Sequence, residues 1–293
     1  MFEYIECKYN EKMKDHTTLR IGGEAKWFLL PENIEQLKRV IVECRENHIK
    51  YFILGNGSNL LVCDKGFDGV VISMQKFNHI ELLENNRLCV GAGVNLFVLN
   101  KFCLDNSLTG LEWSYGIPAS VGGACKMNAG AFDGCFCNKI DSFEVLKKGR
   151  VYKRKKVFYT YRKGCIKEDE ILISAVIKLE KGNKSEIKKR QEMFLSKRKE
   201  TQPYNFPSLG SVFKRGNGFF PAKLIQDFGL KGTRKGNVYI SRKHAGFIIN
   251  KGEGKASDFL CLVKLIEGVA KKNGYFFERE FHLLGFEDRK SVV

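Results

Sequence analysis

No apolar run in this chain approaches the ~20 residues that a membrane-crossing helix requires, and the opening stretch MFEYIECKYNEKMKDH lacks the charged, apolar, small order of a secretory signal. A soluble, cytoplasmic protein is the expectation. Internal repeats and low-complexity tracts are absent, and a hydrophobic share of 43% with 12% aromatic residues excludes a disordered chain. At 293 residues there is room for two or three domains with sizeable cores.

A paired metal-ligand framework is also missing. Ten cysteines are scattered from Cys7 to Cys261 through apolar surroundings such as LLVCDKG and NRLCVGAG, which reads as buried small hydrophobes in most cases and not as a disulfide scaffold. Cys135 and Cys137 in GCFCN are separated by one residue, with neither a second pair nor a nearby histidine, so no metal site is expected. Acidic residues fall short of basic ones, leaving a net charge of +17. That raises nucleic acid as a partner, yet zinc-finger spacing, a basic zipper and an RNA-recognition aromatic motif are all lacking. Two readings of the charge remain: a solvated lysine-rich surface, or a cleft that attracts a small anionic substrate.

The regular βαβα rhythm of a doubly wound sheet does not occur either, which makes α+β the expected class. Ile34, Leu37, Ile41 and Cys44 recur at helical spacing and predict a helix over about 33–47. YFILGNGSNLLV reads as strand, glycine turn, strand. GVVISM, IELLE, RLCVGAG, SFEVLKKG, KVFYTY and EILISAVIKLE read as further strands, and VNLFVLNKFCLDN as a helix. A charged helix over about 184–200 should bury Ile187, Met193, Phe194 and Leu195, with a domain change at its end. Beyond it come a helix from Pro221 to Gly229 and a longer one from a Ser257 cap, with Phe259, Leu262, Val263 and Ile266 on one face. In YFFEREFHLLGF, Phe277, Arg279, Phe281 and Leu283 alternate with Glu278, Glu280, His282 and Leu284 as in a strand.

LGNGSNLLV places Gly55 and Gly57 where a backbone can curl around a phosphate, but the third glycine of a dinucleotide fingerprint is missing and the sequence continues as a strand. Alone it reads more readily as an ordinary hairpin turn than as a phosphate loop. YGIPASVGGACKMNAGAF adds Gly116, Gly122, Gly123 and Gly130 among small residues, a concentration whose entropic cost suits close backbone approach to a buried anion. Two such loops separated by strands suit the two phosphates of a dinucleotide cofactor.

HTTLRIGGEAKWFLLP, LGNGSNLLV and GIPASVGGACKMNAGA resemble the signatures of flavin-binding domains of the vanillyl-alcohol-oxidase type. With PSLGSVFKRG, LIQDFGLKG, HAGFIIN and EREFHLLG following in order, the chain resembles the UDP-N-acetylenolpyruvoylglucosamine reductase family from about His16 to Gly285. The resemblance implies a two-part FAD-binding domain, 1–68 and 69–198, and a C-terminal α+β substrate domain, 199–293. It also implies an NADPH-dependent reduction of the enolpyruvyl ether of UDP-N-acetylglucosamine to UDP-N-acetylmuramate in peptidoglycan precursor synthesis. NADPH first reduces FAD and leaves, and the UDP-sugar then enters the same site. A monomer with no nucleic-acid or membrane partner is expected. The competing readings are another FAD-dependent oxidoreductase of the superfamily and a basic nucleic-acid-binding protein.

Carried onto this sequence, the family's proton donor falls on Ser211, its arginine on Arg162 and its C-terminal glutamate on Glu280, although alternation alone puts Glu278 and Glu280 on one face. Gly164 stands where the family's Y-R-x-S motif usually has serine. FAD contacts are expected from Gly55, Asn56, Gly57, Ser58 and Asn59 through their backbone, and from Gly116, Ile117, Pro118, Ser120, Gly122, Gly123 and Asn128. Ala119 replaces a frequent glycine, which is tolerable at negative φ. Arg215, with Lys214 and Lys199 behind it, is expected at the substrate diphosphate, for which a guanidinium fork is suited. The chain resembles the compact class without the tyrosine-bearing loop, so Tyr204 and Tyr239 receive no role. His244 stays outside the catalytic set.

Overall fold

The computed structural model describes residues 1–155 and 157–286. Mixed helices and strands bear out the α+β class. The chain divides into two compact units, one of Met1–Lys8, Phe28–Asn56 and Val70–Arg198, the other of Tyr9–Trp27, Gly57–Gly69 and Lys199–Val293.

In the first unit, helix α1 (Ile34–Glu46) buries Leu37, Val40, Ile41 and Cys44, and the Asn33 side chain caps it by accepting from the Gln36 N–H at 2.9 Å. Strand Tyr51–Leu54 runs parallel to Val70–Ser73, and not in a hairpin with the Leu60–Val62 strand that follows the glycine turn. An antiparallel sheet orders Arg150–Arg154, Ile140–Lys147, Ile171–Lys178, Arg87–Gly91 and Ile80–Leu83 side by side. Helices α2 (Leu96–Asp105) and α3 (Val121–Met127) follow, the latter within a stretch that reads in the sequence as a loop. The local signal for α3 is the Ser120 cap, whose hydroxyl accepts from the Gly123 N–H at 3.2 Å.

Three expectations need correction here. KVFYTY forms no strand among its described residues; Thr160 makes an isolated bridge to Lys163 instead. Helix α4 (Lys184–Thr201) buries Ile187, Gln191 and Arg198, while Met193 is exposed. Polar side chains can be buried there because backbone carbonyls receive them: Gln191 Nε2 donates to Asn100 O at 2.9 Å. Only Cys44, Cys103, Cys125 and Cys137 of the ten free cysteines are buried, and Cys261 is exposed. Burial pushes the Cys103 thiol up to about 12, so it remains a protonated apolar filler.

In the second unit, Ser208–Ser211, Phe247–Asn250, Val238–Ile240 and Arg234–Lys235 form an antiparallel sheet in that order. Leu209, Val212, Ile240, Ile248, Phe259 and Phe281 join one apolar core with helices α5 (Pro221–Asp227) and α6 (Ala256–Lys272). The buried face of α6 is the one the spacing predicts: Phe259, Leu262, Val263 and Ile266. Its cap differs. Ser257 lies inside the helix, and the Asp64 carboxylate receives the N–H groups of Ala256 at 2.6 Å and Ser257 at 3.0 Å. A cap borrowed from 192 residues away leaves no local signature. Asp64→Ala is expected to cost about 1 kcal/mol and to lower the melting temperature by about 2–4 °C; an unchanged calorimetric midpoint would contradict the cap.

The C-terminal alternation is also interrupted. The strand is His282–Leu284, parallel to Leu60–Val62, with Leu284 buried and Leu283 exposed. Phe277 and Phe281 are buried, and Phe281 packs edge-on against Phe259, with ring centroids 5.4 Å apart, before the parallel ladder begins.

Candidate active site

Within the first unit, the two glycine loops meet. Asn56 Nδ2 donates to Pro118 O at 2.7 Å, and a Cβ on Gly55 would fall 2.3 Å from Ser120 Oγ. Gly122 is pressed against Ala92, whose carbonyl receives its N–H at 2.8 Å. Gly116 has φ +90°, a left-handed conformation that glycine adopts without steric cost. Ala119 is absent from the positive-φ residues, which meets the condition for tolerating alanine there, and its carbonyl accepts from the Leu96 N–H at 2.9 Å.

Arg198 anchors the start of the second loop. Its Nε donates to Tyr115 O at 3.1 Å and Nη2 to Trp113 O at 2.8 Å, while its guanidinium lies 4.9 Å from the centroid of the Phe132 ring. Sequence reasoning misses this residue because a basic helix reads as a solvated one. The recoverable signal is the stripe Ile187, Gln191, Leu195, Arg198 at helical spacing.

Arg162 has φ +56°, uncommon for a residue with a Cβ, and its Nη1 donates to Gly130 O at 3.3 Å. Asn128 braces the same segment. Its Nδ2 donates to Thr160 O at 3.0 Å, and its Oδ1 accepts from the Cys137 N–H at 3.2 Å and the Cys135 thiol at 2.8 Å. The amide that the sequence offers to the cofactor is thus engaged within the protein. Gly164 explains its own departure from the family pattern: a Cβ there would sit 1.6 Å from Cys125 O. The Gly164 N–H instead donates to Lys126 O at 3.0 Å, seating the arginine segment on α3.

In the second unit, Ser211 follows a β-bulge. Pairing shifts between Ser208↔Ile249 and Ser211↔Phe247, and Gly210 lies there at φ +86° with no atom near its Cβ position. Backbone conformation, and not lack of space, therefore demands glycine, and bulges re-aim the residues beside them. The next residues pair with the C-terminal segment: the Glu280 N–H donates to Val212 O and the Lys214 N–H to Glu278 O, both at 2.9 Å. An isolated antiparallel bridge, Phe213↔Arg279, thereby sets the residue after Ser211 against Glu280, 69 positions from the serine in sequence.

The two glutamates separate at this point. The exposed Glu278 carboxylate is held by Lys214 Nζ at 2.6 Å. Glu280 is half-buried, with its carbonyl accepting from Asn59 Nδ2 at 2.9 Å. Arg279 between them is fixed by two bonds to Glu267, 2.6 and 2.7 Å long.

Gly57, at φ +59°, accepts from the Thr18 N–H at 3.3 Å, and a Cβ on it would approach His16 O to 2.1 Å. Arg215 is exposed and its guanidinium lies 5.3 Å from the centroid of the Phe220 ring. Lys199 is exposed near the end of α4 and its carbonyl receives Lys243 Nζ. Tyr239 lies in a strand under Lys251 Nζ, 4.5 Å from the ring centroid. His244 Nδ1 accepts from the Gly246 N–H at 3.2 Å and the ring packs edge-on against Phe247. Burial, reinforced by the charge of Lys231, holds its pKa below the usual histidine value, consistent with a neutral structural residue.

Comparison with known proteins agrees with these elements. Residues 25–153 match the family described as FAD binding domain, and residues 202–284 match UDP-N-acetylenolpyruvoylglucosamine reductase, C-terminal domain. The chain is 43% identical over 271 residues to the UDP-N-acetylenolpyruvoylglucosamine reductase of Clostridium novyi, covering 91% of this chain and 88% of that protein. It is 39% identical over 302 residues to the reductase of the same name from Syntrophomonas wolfei, covering 98% and 99%. The crystal structure of UDP-N-acetylenolpyruvylglucosamine reductase from Thermus caldophilus matches with a TM-score of 0.82 at 34% identity, over 96% of this chain and 98% of that one. Identity at this level over nearly the whole length of both partners shows that the chain belongs to the UDP-N-acetylenolpyruvoylglucosamine reductase family.

Proposed function

We propose that this chain is the NADPH-dependent flavoenzyme that reduces the enolpyruvyl ether of UDP-N-acetylglucosamine to UDP-N-acetylmuramate, with Ser211 as proton donor, and that it works as a cytoplasmic monomer. The observation that carries the serine's role is the antiparallel bridge Phe213↔Arg279, which sets Val212, the neighbour of Ser211, against Glu280. When bound, FAD would supply the hydride carrier between NADPH and the terminal carbon of the enolpyruvyl group. The contact between the loops of Gly55 and Ser120 fits that group, because the missing Cβ at Gly55 lets Ser120 Oγ pack against that backbone and, with the Asn56 to Pro118 bond, brings two glycine-rich backbones to one place. Gly55, Asn56, Gly57, Ser58 and Asn59 would hold it from one loop, and Gly116, Ile117, Pro118, Ser120, Gly122 and Gly123 from the other.

The remaining chemistry falls to side chains. Ser211 gives its proton to the carbon next to the carboxylate, while the Arg162 guanidinium and Glu280, as a protonated acid donating a hydrogen bond, stabilise the charge that develops on the enolate. Arg215 offers a guanidinium to the diphosphate, supported by Lys199; Lys214 reaches that role only by leaving Glu278. The +17 charge favours entry of two successive anions, NADPH and the UDP-sugar. No helix among the described residues is long and apolar enough to cross a membrane.

The purified protein is expected to be yellow, to bleach with NADPH and to recolour anaerobically with UDP-N-acetylenolpyruvoylglucosamine. A protein that binds no FAD on reconstitution, or whose reduced flavin ignores the sugar nucleotide, would refute this function.

A further inference from the structure

We infer that Asn59 is a positioning residue for Glu280: its side-chain amide fixes the backbone of the acid, while its own backbone belongs to the glycine loop. This inference rests on the role proposed above for Glu280. Asn59 Nδ2 donates to Glu280 O at 2.9 Å across 221 positions of sequence. Asn59 O accepts from the His282 N–H at 3.0 Å, and the Glu280 N–H donates to Val212 O at 2.9 Å. Glu280 is therefore held from both sides, by the strand of Ser211 at its N–H and by Asn59 at its carbonyl.

The parallel ladder explains why an amide is needed. Strand pairing begins at His282↔Leu60, so the Glu280 carbonyl lies before the first paired residue. A side-chain donor at position 59 takes the place of the missing strand neighbour. Asparagine's general fitness for turns would account for its presence in GNGSN, but not for a bond to a residue just ahead of the last strand. Aspartate has the same shape and presents only acceptors when ionised, and alanine presents nothing. Because the backbone of Glu280 sets where its carboxyl group lies, loosening one side of this clamp should slow the step in which Glu280 acts more than flavin reduction by NADPH.

The test uses the full-length, FAD-loaded protein with Asn59→Ala and the isosteric Asn59→Asp. Three quantities are read: FAD per chain from absorbance, the rate of bleaching by NADPH, and the rate of recolouring by UDP-N-acetylenolpyruvoylglucosamine. Because the Asn59 backbone is also placed at the cofactor, both rates are taken per bound flavin, and the ratio of recolouring to bleaching should fall at least ~10-fold below that of the parent, the scale expected for a misplaced reacting group. In a Glu280→Ala background, adding Asn59→Ala should change recolouring by less than about twofold, because the two residues act as one unit.

An equal fall in both half-reactions per bound flavin, or an undiminished effect of Asn59→Ala without Glu280, would overturn the inference. If the alanine variant does not fold, Asn59→Asp preserves the volume and the same ratio of half-reactions decides. A parent protein that bleaches and does not recolour would instead refute the proposed reaction, and normal recolouring by Glu280→Ala would refute the role of Glu280.

Discussion

Ser211→Ala is expected to lower turnover of the enolpyruvyl substrate by about 10²–10⁴-fold, the range for loss of a positioned general acid. Bleaching of the flavin by NADPH should be unchanged, since that half-reaction consumes no proton from the serine. The substitution is sterically mild: it removes one oxygen from a half-buried residue, and the Gly210 bulge that shapes the strand stays in place. Thermal stability should therefore shift by no more than a typical surface change, about 0.5 kcal/mol. Stopped-flow absorbance separates the two half-reactions on one sample. Recolouring at the parental rate would reject the acid role, while equal loss of bleaching would point to damage at the cofactor. Ser211→Cys retains a proton-bearing group at the same atom and should fall between the two.

Glu280→Ala should lower recolouring by about 10²–10³-fold, as for removal of a group that stabilises developing charge. Glu280→Gln keeps an N–H donor at the same place and should lose less. The informative control is Glu278→Gln. Glu278 shares the sequence alternation with Glu280, but it is exposed and bonded to Lys214. Such exposed ion pairs contribute roughly 0–1 kcal/mol, so this variant should retain turnover within about threefold. If the two glutamates exchanged these phenotypes, the assignment would have to move to Glu278. A measured KM for the sugar nucleotide would also show whether release of Lys214 from Glu278 tightens diphosphate binding.

Several features of the site are legible in the amino-acid sequence because their causes are local. Glycine at positions 55, 116 and 210 follows from close approach or positive φ, both of which impose residue type at one position. The apolar faces of α1 and α6 follow from periodicity alone. Other features depend on distant partners. Ser257 fits the rule for a helix cap, yet Asp64 supplies the bonds. Arg198 has the composition of a solvated helix, but its guanidinium meets the carbonyls of Trp113 and Tyr115. The serine that the family pattern usually has at the position of Gly164 has no place here, because the backbone of α3 occupies the space of its Cβ.

The sequence by itself determined the α+β class, the two glycine loops and the family, since short-range spacing and ordered motifs carry them. Only the tertiary structure decided that the two loops touch through Asn56 and Pro118, that Lys214 takes up Glu278, and that Glu280 is held between Val212 and Asn59. The physical reason is the same in each case. Hydrogen bonds are satisfied by whichever group the fold brings within about 3 Å, and residue type limits the candidates without naming the partner.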